Sequence, residues 1–358
     1  MAYYHSKYAS SNKKRRRPAW ARFLLVSLLV LIIASLVAGY YLYQAILSNN
    51  VWTPEDEAVS VYIPSGSDFE DVKQILYSQG LILNRTTFEW LARQKKYPEL
   101  VKPGHFLVSP GMSNDELINM LRLGEQVPVK VVFNNIRLKD QLAQKVSRQI
   151  EADSAELMHL LNDSAYLAEL GLNAETALTL FIPNTYEFYW NTDAVQFMDR
   201  MKRENRIFWE GEREEKAAKL GMSRAEVMIL ASIVEKETNK NDEKATIAGV
   251  YLNRLDRNWL LQADPTLVYA SGDFGLTRVL NVHKKIDSPY NTYKYEGLPP
   301  GPICIPSIAS VDAVLNAEGH DYLFFCAKDD LSGYHVFARS ITQHNRNARK
   351  YRMAIENR

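Results

Sequence analysis

The amino-acid sequence predicts an α+β protein with one N-terminal transmembrane helix, a small α+β domain and a larger mixed α/β domain built around a buried helix. Three observations support this prediction. Residues 23–47 are apolar and uncharged, short strands and capped helices alternate over residues 59–123, and a continuous apolar helical run follows Ser223. A chain of 358 residues is long enough for two soluble domains besides a membrane segment.

Residues 23–47 are expected to cross a membrane once, because about 20 apolar residues in a helix span about 30 Å of hydrocarbon. Tyrosines at positions 40, 41 and 43 are typical of an interfacial aromatic belt and favour an uncleaved anchor over a cleaved signal peptide. Lys and Arg fill positions 13–17, whereas positions 55–57 are acidic. This asymmetry predicts a cytoplasmic tail (1–22) in a bacterial inner membrane, and export of everything after about Asn49.

Overall charge gives no sign of a polyanionic partner, since 43 Lys+Arg balance 42 Asp+Glu. Nucleic acid is therefore not an expected partner. The two cysteines, Cys304 and Cys326, both fall in the part predicted to be exported. They could form one disulfide or remain as buried thiols, and the sequence leaves both options open.

The segment 48–124 is predicted to form the small domain. Val59–Ile63 and Gly104–Val108 have the composition of strands. Three helices are expected near these strands, each opened by capping residues: Ser67 with Glu70, Asn84, and Ser113 with Glu116. The resulting β-α-α-β order resembles the LysM carbohydrate-binding fold, which implies contact with glycan. A spacer role fits equally well, because no residue here is diagnostic of sugar binding.

The larger domain, 125–358, is predicted to open with a strand over 127–133 and to be mostly helical over 138–170. Residues 181–190 then form an aromatic cluster that includes Tyr186. Such a cluster beside a proline is typical of a core, but aromatic faces also stack on sugar rings. Both interpretations remain open, and Tyr186 is retained as a candidate binding residue.

Ser223 and Glu226 form a capping box before the apolar run, which ends with Glu235 and Glu237. A carboxyl group at the C-terminal end of a buried helix lies near the negative end of the helix dipole. Both the dipole and burial disfavour ionisation, so they raise the pKa toward that of a general acid. The sequence therefore predicts an acid catalyst at the end of this helix.

Helical periodicity separates the two glutamates, because residues two apart point about 200° from each other. Glu237 shares its side with Leu230, Ile233 and Val234. Glu235 shares its side with smaller and more polar neighbours. We predict Glu237 as the proton donor and Glu235 as a second acid, against the alternative that nearby lysines simply pair with them.

Polar side chains in the loops that follow are expected to face a ligand, since amides and hydroxyls are costly to bury without partners. His335, further along, is expected to line the same cleft. The candidates for facing this ligand, besides Tyr186, are Asn253, Gln262, Asp264, Tyr290, Asn291, Tyr293 and His335.

At these residues the sequence is similar to the endolytic murein transglycosylase family, also called YceG-like proteins. Three positions depart from the family pattern: Asn184 stands where an Asp is usual, Ala263 varies a loop position, and Cys304 lies in the loop after Gly301. The segments that carry the resemblance occur in the family's order: 231–238 (ASIVEKET), 253–255 (NRL), 261–266 (LQADPT), 290–293 (YNTY), 297–301 (GLPPG), 335–337 (HVF) and 344–345 (HN).

The resemblance implies that Glu237, which precedes Thr238, is the catalytic glutamate. It implies cleavage of the MurNAc–GlcNAc bond in nascent peptidoglycan strands, with the muramyl 6-hydroxyl as nucleophile and a 1,6-anhydro end as product. One carboxyl group would serve as acid and then as base. The resemblance also implies no cofactor, a limit on strand elongation, and contact with penicillin-binding synthases.

Other chemistries find less support. The histidines show no zinc-binding spacing and no G-x-S-x-G elbow occurs, so neither a zinc site nor a serine hydrolase is expected. Three alternatives remain: a muramidase in which Asp264 activates water, a non-catalytic membrane-tethered scaffold that binds glycan, and an enzyme acting on another aminosugar polymer.

Overall fold

The computed structural model describes residues 19–356, and the chain divides into two compact units, Met1–Gln126 and Val127–Arg358. The basic cluster at positions 13–17 lies outside the described residues. The first helix, α1 (Ala19–Ile46), has 28 residues and no buried side chain. Within residues 19–356 it is the one helix long and apolar enough to cross a membrane.

The first unit contains a two-stranded antiparallel sheet of β1 (Val59–Ile63) and β2 (Gly104–Val108), as predicted. Val61 lies opposite Phe106 in the register, and both side chains are fully buried. Single turns of 3-10 helix occur at Pro54–Asp56 and Tyr97–Glu99. The helices are α2 (Phe69–Ser78), α3 (Arg85–Gln94) and α4 (Asn114–Leu123).

Two of the three predicted helix starts are confirmed. The Asn84 side chain accepts a hydrogen bond from the Thr87 amide, and Ser113 forms a capping box with Glu116. The predicted start of α2 at Ser67 is wrong by one residue, because Asp68 is the cap and pairs with Asp71. Ser67 is still part of the preceding turn, where its amide donates to the Pro64 carbonyl.

The helices and the sheet enclose one hydrophobic core, and its largest side chains are Phe88, Phe106 and Tyr97. The order β1-α2-α3-β2 is the one that the sequence predicted. Glycan binding by this unit stays a prediction.

The second unit has two further antiparallel pairs, β3 (Val129–Val132) with β4 (Thr185–Phe188) and β5 (Phe324–Ala327) with β6 (His335–Ala338). Single 3-10 turns lie at Ala177–Leu180, Asn241–Glu243 and His283–Lys285. The helices are α5 (Lys139–Ser147), α6 (Ser154–Leu160), α7 (Ser164–Glu169), α8 (Ala194–Trp209), α9 (Glu212–Lys219), α10 (Arg224–Glu237), α11 (Lys244–Leu255), α12 (Asp264–Ser271), α13 (Ile308–Leu315) and α14 (Ile341–Glu356).

One core of this unit contains the aromatic segment. Phe181, Tyr186 and Phe188 are all buried there, and the Tyr186 ring stacks on Phe133 with 5.6 Å between ring centroids. The Tyr186 hydroxyl donates to the Ile182 carbonyl at 2.7 Å. The structure therefore corresponds to the core interpretation of residues 181–190, because the rings pack on one another.

The second core surrounds α10, which begins at the predicted capping box of Ser223 and Glu226. Every residue over 227–234 is buried, and α10 packs against α11, α12 and α13. Cys304 is a buried free thiol beside α10, and Cys326 is also free. Of the two options left open by the sequence, the structure has the unpaired thiols.

Candidate active site

The C-terminal end of α10 directs its two carboxyl groups into different surroundings. Glu237 is the last residue of the helix, and Thr238, which follows it, has an extended backbone conformation. Glu237 lines a cavity of about 960 Å³, which we call the large cavity. Glu235 lines a separate cavity of about 580 Å³, the small cavity.

Glu237 is a half-buried acid with one strong hydrogen-bond partner. The Tyr251 hydroxyl donates to its Oε1 at 2.5 Å. Burial raises the pKa of Glu237 to about 7; the Tyr251 hydrogen bond and the Arg254 charge oppose this rise, and the Asp264 charge adds to it. A carboxyl group with this pKa is protonated for a substantial fraction of the time at neutral pH, so it can donate a proton.

Tyr251 and Arg254 support Glu237 from α11, where a spacing of three residues places them on one face. The Tyr251 side chain is 1% exposed, and burial raises the pKa of its hydroxyl. Arg254 donates to the carbonyls of Leu323 and Leu261 at 2.7 and 2.5 Å. A fixed buried cation thus stands near the acid. Sequence reasoning missed Tyr251, although its position three residues before Arg254 was a usable signal.

The Glu235 carboxylate is held by three donors. Its Oε2 accepts from the Ser307 and Ser310 hydroxyls, each at 2.5 Å, and from Lys244 at 3.0 Å. Burial opposes ionisation of Glu235, but these hydrogen bonds together lower its pKa. Glu235 therefore remains an anion at neutral pH and has no proton to give.

Asp264, the first residue of α12, also lines the large cavity. The Tyr293 hydroxyl donates to its Oδ1 at 2.5 Å. The structure thus brings together two of the predicted binding residues beside Glu237. Asp264 presents its carboxylate to the large cavity, whereas Tyr293 does not line the cavity and instead holds that carboxylate.

Two predicted binding amides brace the backbone instead. Asn253 donates to the carbonyls of His320 and Tyr322, at 2.7 and 3.0 Å. Asn291 is fully buried and donates to the carbonyls of Lys284 and Ile286. Their side chains hold loops in place and do not line either cavity.

The remaining predicted residues also lie outside the cavity linings. Gln262 is exposed, with a left-handed φ of 48°, and its amide donates to the Thr292 carbonyl. The Tyr290 ring contacts Tyr269, a large-cavity residue, with 4.6 Å between ring centroids. His335 Nδ1 lies 2.8 Å from Glu243 Oε1. Tyr186 is in the aromatic core described above.

The GLPPG segment is explained by a close approach of the backbone. A Cβ atom at Gly301 would lie 2.1 Å from the Glu175 carbonyl oxygen and 2.9 Å from the Tyr290 hydroxyl. Ile303, two residues on, lines the large cavity, and its amide donates to the Ser232 hydroxyl on α10 at 3.0 Å. The segment therefore fixes one wall of the cavity against the helix that carries Glu237.

Several lining residues of the large cavity were not predicted from sequence. Arg137 precedes α5, Lys236 lies between the two glutamates, and Phe274 follows α12. The C-terminal end of α14 adds Tyr351. No local motif marks these residues, because they reach the cavity through contacts between distant parts of the chain.

Comparison with known proteins relates this geometry to a family. The model of the YceG-like family matches residues 61–350. An endolytic murein transglycosylase of Bacillus subtilis is 28% identical over 332 residues, which cover 88% of this chain and 91% of that protein. An endolytic murein transglycosylase of Streptococcus pneumoniae is 27% identical over 363 residues, covering 91% of this chain and 65% of that one.

A crystal structure is also similar. The putative yceG-like protein of Listeria monocytogenes superposes with a TM-score of 0.55 and is 29% identical. The match covers 81% of this chain and 98% of the Listeria chain.

Proposed function

The chain belongs to the YceG-like family, and from this premise we propose that it is an endolytic murein transglycosylase that cleaves peptidoglycan strands with Glu237 as its catalytic acid. Relatives of this name match it over most of its length. The observation that carries the proposal is a half-buried glutamate, with a pKa of about 7, in the wall of a cavity of about 960 Å³.

The proposed reaction needs one carboxyl group. Glu237 donates its proton to the glycosidic oxygen, and the bond from that oxygen to the muramyl C1 breaks. The muramyl 6-hydroxyl oxygen forms a new bond to C1 and closes the 1,6-anhydro ring. The hydroxyl proton passes to the Glu237 carboxylate, which restores the acid without consuming water.

Tyr251 is suited to the intermediate stage of this reaction. Its hydroxyl donates to Glu237 Oε1 and so stabilises the ionised form that exists after the proton has left. Glu235 is not available as a partner acid, because Lys244 and two serines hold it as an anion. The positions of the donors thus support the proposal that Glu237 alone serves as acid and base.

Asp264 supports a second candidate function. Its carboxylate lines the same cavity as Glu237, as a hydrolytic muramidase would require of the group that activates water. Mass spectrometry of the released fragments separates the two reactions, since the anhydro end is lighter than the hydrolysed reducing end by one water. Only anhydro ends are expected.

The proposed location follows from α1, which is long and apolar enough to anchor the chain in the membrane. We propose a cytoplasmic N-terminus, with everything after about Asn49 exported across the inner membrane. The small domain predicted over 48–124 would contact glycan or set the distance to the membrane. The larger domain predicted over 125–358 would cleave nascent strands near penicillin-binding synthases and limit strand elongation.

The direct test uses the full chain in detergent and purified sacculi. Wild type should release soluble fragments with anhydro ends, and Glu237→Gln should lower the release at least a thousandfold while retaining its circular dichroism spectrum. Glu215→Gln, on the exposed face of α9, is the matched control and should behave as wild type. An active Glu237→Gln protein would instead support the scaffold alternative.

A further inference from the structure

The large and small cavities meet at two cationic residues. Arg137 and Lys236 line both of them. Glu237 lies only in the large cavity and Glu235 only in the small one. A ligand bound beside Glu237 in the large cavity therefore lies near two cations that also line the small cavity.

Neither cation has an acidic partner among residues 19–356. The Arg137 guanidinium lies over the Phe274 ring, 4.8 Å from its centroid, and Lys236 donates to the Asn135 side-chain oxygen at 2.8 Å. Both groups therefore contact neutral partners, and both line the two cavities. Glu235, which precedes Lys236 in the sequence, pairs instead with Lys244 at 3.0 Å. Two free cations favour an anionic group on the ligand.

The small cavity differs from the large one in its lining. Asn134, Asn135 and Asn239 give it a set of side-chain amides, and its lining contains no aromatic ring. The large cavity has the rings of Tyr269, Phe274 and Tyr351. Sugar rings stack on aromatic faces, whereas amides that donate and accept match a peptide backbone. The sugars therefore suit the large cavity, and a peptide suits the small one.

We propose that the small cavity binds the acidic stem peptide carried by the muramyl residue, with Arg137 and Lys236 pairing with a peptide carboxylate. This inference rests on the proposed function, because it takes the ligand in the large cavity to be a peptidoglycan strand. The protein would then recognise the stem peptide as well as the glycan.

The test measures binding in the Glu237→Gln protein, which leaves the ligand uncut. Three soluble muropeptide oligomers serve as probes: one with intact peptides, one with the peptide carboxyls converted to amides, and one stripped of peptides, which keeps only the lactyl carboxylate. The intact oligomer should bind roughly tenfold more tightly than either of the others. Equal affinity for all three oligomers would overturn the inference.

Substitution of Lys236 and Arg137 tests whether these two cations pair with the peptide carboxylate. Lys236→Gln and Arg137→Gln, each added to Glu237→Gln, should weaken binding of the intact oligomer roughly tenfold and add little to the loss already seen with the amidated one. Lys236→Arg keeps the charge and should restore most of the affinity, which a merely structural role would not require. Losses of equal size on intact and amidated oligomers would contradict the pairing.

Lys240→Gln is the matched control for Lys236→Gln. Lys240 lies four residues along the chain, with its ammonium 4.8 Å from the Tyr334 ring centroid, and it lines neither cavity. Its substitution should change no affinity by more than about threefold. Failure of the proposed function would appear separately, as wild-type protein that releases nothing from sacculi whatever the binding preference of Glu237→Gln.

Discussion

Glu235 and Glu237 lie two residues apart at the end of one helix, yet their pKa values are displaced in opposite directions. The pKa of Glu237 rises to about 7 because burial dominates, whereas the donors from Ser307, Ser310 and Lys244 lower the pKa of Glu235. The helix turn separates them, so each carboxyl meets a different set of neighbours. The two groups are therefore expected to respond differently to the same substitution.

Glu235→Gln should retain activity and lose stability. The amide still accepts hydrogen bonds from the serines, but Lys244, which is 4% exposed, is left without its counter-ion. We expect the free energy of unfolding to fall by about 2–4 kcal/mol and anhydro-product release to stay within about tenfold of wild type. Urea denaturation and the sacculus assay measure the two effects. Glu235→Gln that is as inactive as Glu237→Gln would contradict the separation of roles.

The position of Glu237 at the end of a buried helix could be predicted from sequence because it depends on local rules. The capping box at Ser223 fixes where α10 begins, and helical periodicity then places Glu237 on the apolar side. The paired strands of the first unit followed from composition in the same way. Local rules of this kind determine where an element starts and which side of it is buried.

The partners of each polar group could not be predicted, because they depend on the tertiary structure. Asn253 and Asn291 satisfy backbone carbonyls in neighbouring loops, and Tyr186 packs among other aromatic rings. Conversely, Tyr351 comes more than a hundred residues after Glu237 and still lines its cavity. A sequence pattern identifies a side chain that needs a partner, but only the packing of distant segments decides whether that partner is protein or ligand.

The pH dependence of cleavage should report Glu237. The acid must carry its proton, so kcat/KM is expected to be level below about pH 7 and to fall roughly tenfold for each further rise of one in pH. Initial rates on soluble glycan oligomers between pH 5 and 9 would give this profile. A rate that keeps rising through pH 8 would exclude Glu237 as the proton donor in the rate-limiting step.

Tyr251→Phe should shift that profile to higher pH. The hydroxyl hydrogen bond opposes the rise in the pKa of Glu237, so its removal raises this pKa further. The ratio of the rate at pH 8 to the rate at pH 6 is expected to be higher in the variant than in wild type. Its rate at the optimum should be roughly tenfold lower, because the ionised glutamate loses a donor. Tyr295→Phe, an exposed tyrosine outside the large cavity, is the control and should leave the profile unchanged.

Glu237→Gln should stabilise the protein in a pH-dependent way. The pKa of Glu237 is about 7 in the folded chain and near its ordinary value of 4.5 when unfolded, so the folded state binds the proton more strongly. The resulting loss of stability is absent below about pH 4.5, grows between pH 4.5 and 7, and is complete above pH 7. Glutamine cannot ionise and does not suffer this loss.

Because Glu237 is only half-buried, we expect the variant to be more stable by about 1–2 kcal/mol at pH 8 and close to wild type at pH 5. Urea denaturation at both pH values, with Glu215→Gln as the control, measures the difference. A variant that is less stable than wild type at pH 8 would mean that the folded protein favours the charged carboxylate. The pKa of Glu237 would then not be raised, and the group would not be protonated at neutral pH.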